Sequence, residues 1–138
     1  MKIYVLSYVA TAIVFLACDI VWLALTSSRL YRPLLGDLLL PNFRAAPAVL
    51  FYLIYMAGIV FFAITPAVET GRWTSAFGHG AALGFVAYAA YDLTNQATLR
   101  SWSTTITVLD LCWGTALTAI AAALGFVIAS AIARATGG

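Results

Sequence analysis

Four apolar stretches, at about residues 3–26, 47–65, 74–95 and 104–132, take up most of this sequence, and no polar run between them is long enough to fold alone. Each reaches the length, about 20 residues, that carries an α-helix across the hydrocarbon core of a bilayer, and the fourth is long enough to span with tilt or to project beyond it. None shows the strict apolar–polar alternation of a membrane barrel strand, which leaves the helix as the element that satisfies backbone polar groups in lipid. Composition agrees. Of 138 residues, 64% are hydrophobic and only 9% charged, against roughly a quarter charged in soluble domains. The predicted fold class is all-α, a polytopic membrane protein built as a four-transmembrane-helix bundle with short loops, one domain over residues 1–138.

The boundaries follow from local chemistry. Pro47 suits the first turn of the second helix, and Pro66 is expected to end that helix at about Thr65. The predicted loops are Ser27 to Ala46, a tight turn around Glu69, Gly71 and Arg72, and Gln96 to Ser103. Met1 and Lys2 before an apolar run, with Cys18 inside it, resemble a secretory or lipoprotein signal, but the run continues through Ile20 to Leu25. A full span is expected instead. Cys18 and Cys112 read as small packing residues. A net charge of +2, with scattered basic residues, implies no nucleic-acid partner.

Helices joined by short loops alternate in direction, so the ends that share a membrane face can be assigned. Helices one and three end, and helices two and four begin, on the face holding 27–46 and 96–103, called face A here. Asp19, Asp92 and Asp110 all lie near helix ends on that side, within roughly 12 Å of it at 1.5 Å rise per residue. Trp22, Tyr52, Tyr55, Tyr88, Tyr91, Asn95, Thr107 and Trp113 map to the same half, while Tyr31 and Trp102 read as an ordinary interfacial aromatic belt. An aspartate inside a span costs about 2.5–3.5 kcal/mol on insertion scales, so such groups face the bundle and seek partners.

Helical phase predicts inward stripes of Phe15, Asp19, Trp22 and Thr26; of Phe51, Tyr55, Gly58 and Phe62; of Gly84, Tyr88, Tyr91 and Asn95 with Asp92 beside them; and of Thr107, Asp110, Gly114 and Thr118. Asp19-x-x-Trp22 and Asp110-x-x-Trp113 echo each other at matching depth, and i, i+3 spacing sets each indole beside a carboxyl to which it could donate. Face A also holds Arg29, Arg32, Arg44 and Arg100. Arg44 and Arg100 adjoin helix ends, and a network in which they fold back over the acids is expected. The candidate ligand-binding set is Asp19, Trp22, Tyr88, Tyr91, Asp92, Asn95, Asp110, Trp113, Arg44 and Arg100.

The run Tyr91-Asp92-Leu93-Thr94-Asn95, followed by Ala97-Thr98, Trp102 and Asp110-x-x-Trp113-Gly114, resembles the signature of the bacterial predicted-membrane-protein family called domain of unknown function 2177. The resemblance extends over nearly the whole chain, including Asp19-x-x-Trp22. It implies a small four-span protein of unestablished activity, and marks Asp19, Trp22, Tyr91, Asp92, Asn95, Asp110 and Trp113. Family genes often neighbour those for fatty-acid cyclopropanation, methylation and other envelope functions, so the resemblance also implies a lipid connection.

Several chemistries fall away. A His-ligated iron centre needs many histidines, and His79 stands alone, near the other face. The same separation removes Ser/His/Asp catalysis, and the several-Asp motif of a membrane phosphotransferase is missing from any one helix. No cofactor and no catalytic residue is assigned. The leading expectation is a membrane lipid or amphiphile bound at face A, with a proton-coupled transporter or a structural subunit of a membrane complex as alternatives. A homo-oligomer or larger membrane complex is the expected protein partner. The expected location is the bacterial cytoplasmic (inner) membrane, and Arg29, Arg32 and Arg44 in the first sizeable loop favour a cytoplasmic face A.

Overall fold

Two prolines decide the shape of the first two helical rods. Proline lacks an N–H, and its ring crowds the carbonyl four residues back, which for Pro33 is that of Arg29 and for Pro66 that of Phe62. In the computed structural model, which describes residues 1–137 and leaves Gly138 outside, the backbone absorbs both prolines by widening one turn to an i→i+5 pattern. Arg32 N–H bonds to the Ser27 carbonyl, and Thr65 N–H to that of Val60. Such wide turns are rare, occur mostly as single turns inside α-helices, and are frequent at functional sites.

Helix α1 (Lys2–Thr26) therefore runs on through the wide turn Ser27–Tyr31 into α2 (Arg32–Leu35) and a tighter turn at Gly36–Leu38. The second rod is α3 (Ala45–Ile59), the wide turn Val60–Ile64, and α4 (Thr65–Thr70). This corrects two expected boundaries: neither Thr26 nor Pro66 stops a helix, and the first loop shrinks to 39–44. Gly71 ends α4 instead, at φ 67°, a left-handed conformation that glycine adopts without a Cβ clash. The third rod is α5 (Trp73–Thr98) and the fourth α6 (Thr104–Ala135).

Three rods, Lys2–Leu38, Ala45–Thr70 and Thr104–Ala135, are long and apolar enough to cross a membrane, each holding an 18-residue stretch whose mean hydropathy is 2.2, 2.3 and 2.3 in turn. At 26 residues α5 has the length. Its glycines, with Ser75, His79, Asp92, Asn95 and Gln96, hold its hydropathy below theirs. It packs most extensively against α6.

The α5–α6 seam depends on glycine. A Cβ at Gly80 would sit 2.9 Å from Ala122, and one at Gly84 2.3 Å from the Gly114 carbonyl and 2.8 Å from Thr118. A Cβ at Gly114 would enter the Tyr88 ring at 2.2 Å. Contacts 80–122, 84–118 and 88–114 step by one turn in opposite directions, so the helices are antiparallel. α1 is antiparallel to α6 as well, with Thr11 against Gly125 and Trp22 against Trp113. Phe15, Tyr55, Met56, Ile59, Ala63, Leu117, Ala121 and Ala122 fill the centre.

The stripes on α1 and α6 are buried as phase predicts, through Phe15 and Asp19 and through Thr107, Asp110, Gly114 and Thr118. The other two rotate. On α5 the inward line is Gly80, Gly84, Tyr88 and Asp92, with Asp92 inside and Tyr91 outside. On α3 Tyr55, Met56 and Ile59 are buried, whereas Phe51 and Phe62 are 47% and 58% exposed. In rods apolar on every side, phase carries little information.

If close backbone approach holds this seam, Gly84→Ala costs stability of about 1–3 kcal/mol by overpacking. Gly78→Ala, where nothing lies within 4 Å, is neutral or gains up to about 1 kcal/mol of helix propensity. Thermal unfolding in mild detergent compares them, and equal melting temperatures would refute the close-packed seam.

Candidate functional site

The three aspartates come together where α1 and α5 approach their ends and α6 begins. Asp19 follows Phe15 by one turn on α1, Asp92 follows Tyr88 on α5, and Asp110 lies two turns into α6, all three buried. Asp110 has Asp92 as its immediate neighbour and Asp19 within Coulombic reach.

Phenols supply the hydrogen bonds. Tyr52 on α3 donates from its Oη to Asp19 Oδ2 at 2.5 Å. Tyr31 donates to Asp110 Oδ1 and accepts from Trp22 Nε1 at 3.0 Å. Tyr31 reaches Asp110 because the wide turn before Pro33 carries it back over the helix end. Below it the indoles of Trp22 and Trp113 stack, centroids 4.4 Å apart and planes 8° from parallel. The two D-x-x-W segments thus meet through their indoles, and each aspartate takes its proton donor from a tyrosine on another segment.

Asp92 is different. It is 0% exposed, and neither carboxyl oxygen has a hydrogen-bond partner. The buried Trp113 Nε1 is also unpartnered. Ionised carboxylates only accept, so Asp92 and Asp110 can share a bond only if a proton or an outside donor joins them.

Tyr88 separates this cluster from a cavity. Its ring packs on Gly114, and Asp19 and Asp110 lie within its Coulombic reach. It also lines a cavity of about 270 Å³ with Phe51, Ala87 and Tyr91, between α3 and α5. Phe51 and Tyr91, 59% exposed, form the outer lip. One turn deeper, Tyr55 Oη and Thr118 Oγ1 share a hydrogen bond of 2.9 Å. Toward face A, Trp102 Nε1 donates to Thr107 Oγ1 at 3.0 Å and Gln96 Nε2 to Thr104 Oγ1 at 3.1 Å, tying the α5–α6 connection to α6.

Of the candidate set, Asp19, Trp22, Tyr88, Asp92, Asp110 and Trp113 gather here. Tyr91 stands at the lip with Asn95 beside it, half-buried. Arg44 and Arg100 are exposed, and the donors to Asp19 and Asp110 are phenols, which corrects the expectation that arginines fold over the acids. A guanidinium keeps its head in interfacial water, because burying it with a carboxylate carries a desolvation cost the pair does not always recover. Tyr31 and Tyr52 are the functional candidates that sequence reasoning misses. Pro33, two residues on, signals the turn that redirects Tyr31, and Tyr52 precedes buried Met56 and Ile59 at i+4 and i+7. Among the described residues, no group of three or more His, Cys, Asp or Glu is arranged to hold a metal ion.

Tyr31→Phe removes a half-buried donor from Asp110 and an acceptor from Trp22, and is expected to cost about 1–3 kcal/mol and to change the near-ultraviolet circular dichroism of the indole stack. Arg44→Gln is expected to leave both unchanged. The reverse pattern would restore the arginine-capped network.

Comparisons with known proteins now bear on this geometry. No curated protein and no solved structure matches the chain. A family model described as a predicted membrane protein, DUF2177, matches residues 4–127. That span contains all three aspartates, both stacked tryptophans and the tyrosines that cap them, and the chain belongs to this family of predicted membrane proteins.

Proposed function

We propose that the protein binds a membrane amphiphile, its polar headgroup at the face A cluster and its tail leaving between α3 and α5. The observation that carries this reading is the aromatic-lipped cavity of about 270 Å³ that opens on the bundle's apolar outer surface and backs, through Tyr88, onto buried carboxyls. Apolar walls converging on a few fixed polar groups are the usual form of a small-molecule site. An intramembrane acid with no partner inside the protein is a functional-site hypothesis by default. The expected setting is the bacterial inner membrane, where such a protein would serve envelope lipid metabolism.

The proton-coupled alternative draws on one observation, the adjacent Asp92 and Asp110, which a single proton could bridge. A transporter's small-molecule substrate would need a cavity too, but walls of Phe51, Ala87, Tyr88 and Tyr91 suit a lipid tail better than a small polar solute.

Purification in mild detergent, followed by organic extraction and mass spectrometry, tests the reading. Wild type is expected to retain about one lipid per site, and Asp110→Asn to lose most of it. Ala87→Phe, which fills the cavity without touching an acid, is expected to do the same. Unchanged occupancy in both variants would exclude this site as the place of binding.

A further inference from the structure

The geometry points to an ammonium-bearing headgroup as the ligand of this site: Asp92, fully buried with both oxygens unpartnered beside Asp110, accepts the hydrogen bonds that a cationic nitrogen donates. The inference rests on the amphiphile reading and narrows it.

The site's inventory leans to acceptors. Its buried ionisable groups are three carboxyls, its phenol donors go to Asp19 and Asp110 only, and against these stands one unpartnered buried N–H at Trp113 Nε1. The arginines of face A, which would suit a phosphate bidentately, are exposed rather than turned into the cluster. A bare anion entering here would meet acceptors at close range, a like-charge arrangement that specific sites use to reject wrong partners. An ammonium group carries up to three donors and no acceptor. It would satisfy Asp92 and the free capacity of Asp110 together.

The cavity on the far side of Tyr88 from the acids agrees independently. Three of the four residues lining the cavity are aromatic, Phe51, Tyr88 and Tyr91, and aromatic faces attract cations through their quadrupoles, more strongly when water is excluded. With no group of three acidic, His or Cys residues set to ligate a metal ion among the described residues, an organic cation suits the spacing better than a compact divalent one.

The test uses the full chain reconstituted in vesicles of equal phosphatidylethanolamine and phosphatidylglycerol with matched tails, then extracted for native mass spectrometry. Retained phosphatidylethanolamine is expected to exceed phosphatidylglycerol about tenfold, the order that one charge-assisted hydrogen bond supplies. Asp92→Asn, which keeps the shape but places an amide beside Asp110, is expected to abolish the preference. Equal retention, or a preference for phosphatidylglycerol, overturns the ammonium inference and leaves lipid binding standing. If neither lipid is retained, a thermal shift of the delipidated protein by ethanolamine alone would uphold ammonium recognition and overturn the amphiphile reading. Absence of that shift as well would overturn both. A preference that persists in Asp92→Asn would also overturn the inference, because Asp92 would then play no part in selection.

Discussion

A carboxyl group inside an apolar bundle needs hydrogen-bond donors at fixed positions, and three such groups within one half of a four-helix protein need more than the bundle readily supplies. Much of the structure around face A follows from that shortage. Tyr31 is brought back by a widened turn to serve Asp110, and Tyr52 is turned inward on α3 to serve Asp19. Trp22 fixes Tyr31 from behind while stacking on Trp113. Phenols suit this task because they donate without bringing a second charge into low dielectric, where an ion pair must first overcome the desolvation of both partners. The supply stops short of Asp92, whose buried carboxyl is left with unfilled acceptors.

Glycine gives the arrangement its spacing. Because Gly80, Gly84 and Gly114 allow α5 and α6 to approach closely, Tyr88 packs against backbone where a side chain would otherwise stand. Asp92, one turn further along α5, then falls beside Asp110. In lipid, where helices gain nothing by hiding apolar surface from one another, small residues at the seam are a principal source of association. The same close approach that stabilises the bundle therefore sets two acids against each other.

The fold class was legible in the sequence because the hydrocarbon thickness fixes a length and the backbone in lipid admits few elements. The shared depth of Asp19, Asp92 and Asp110 was legible for a related reason: short connections force alternating directions. Where rods are apolar all round, rotation was not legible. Phe51 and Phe62 carry the same hydrophobicity as the residues that replace them in the core, and Asp92 rather than Tyr91 turns inward because the glycine line at 80 and 84 sets the face of α5. Tyr31 escaped for a different reason. Its position depends on how the chain accommodates Pro33, and proline ends helices more often than it is absorbed.

The central claim is that face A holds phenol-capped acids with an unfilled acceptor at Asp92, buried behind Tyr88, whose ring also lines the cavity on the bundle's outer surface. An experimental structure of the full chain in lipid nanodiscs would test it most directly. The account predicts headgroup density beside Asp92 and Asp110, continuous with a tail leaving past Phe51 and Tyr91, and Tyr31 still bonded to Asp110. An empty cavity, with Arg44 or Arg100 bonded to the aspartates, would contradict it.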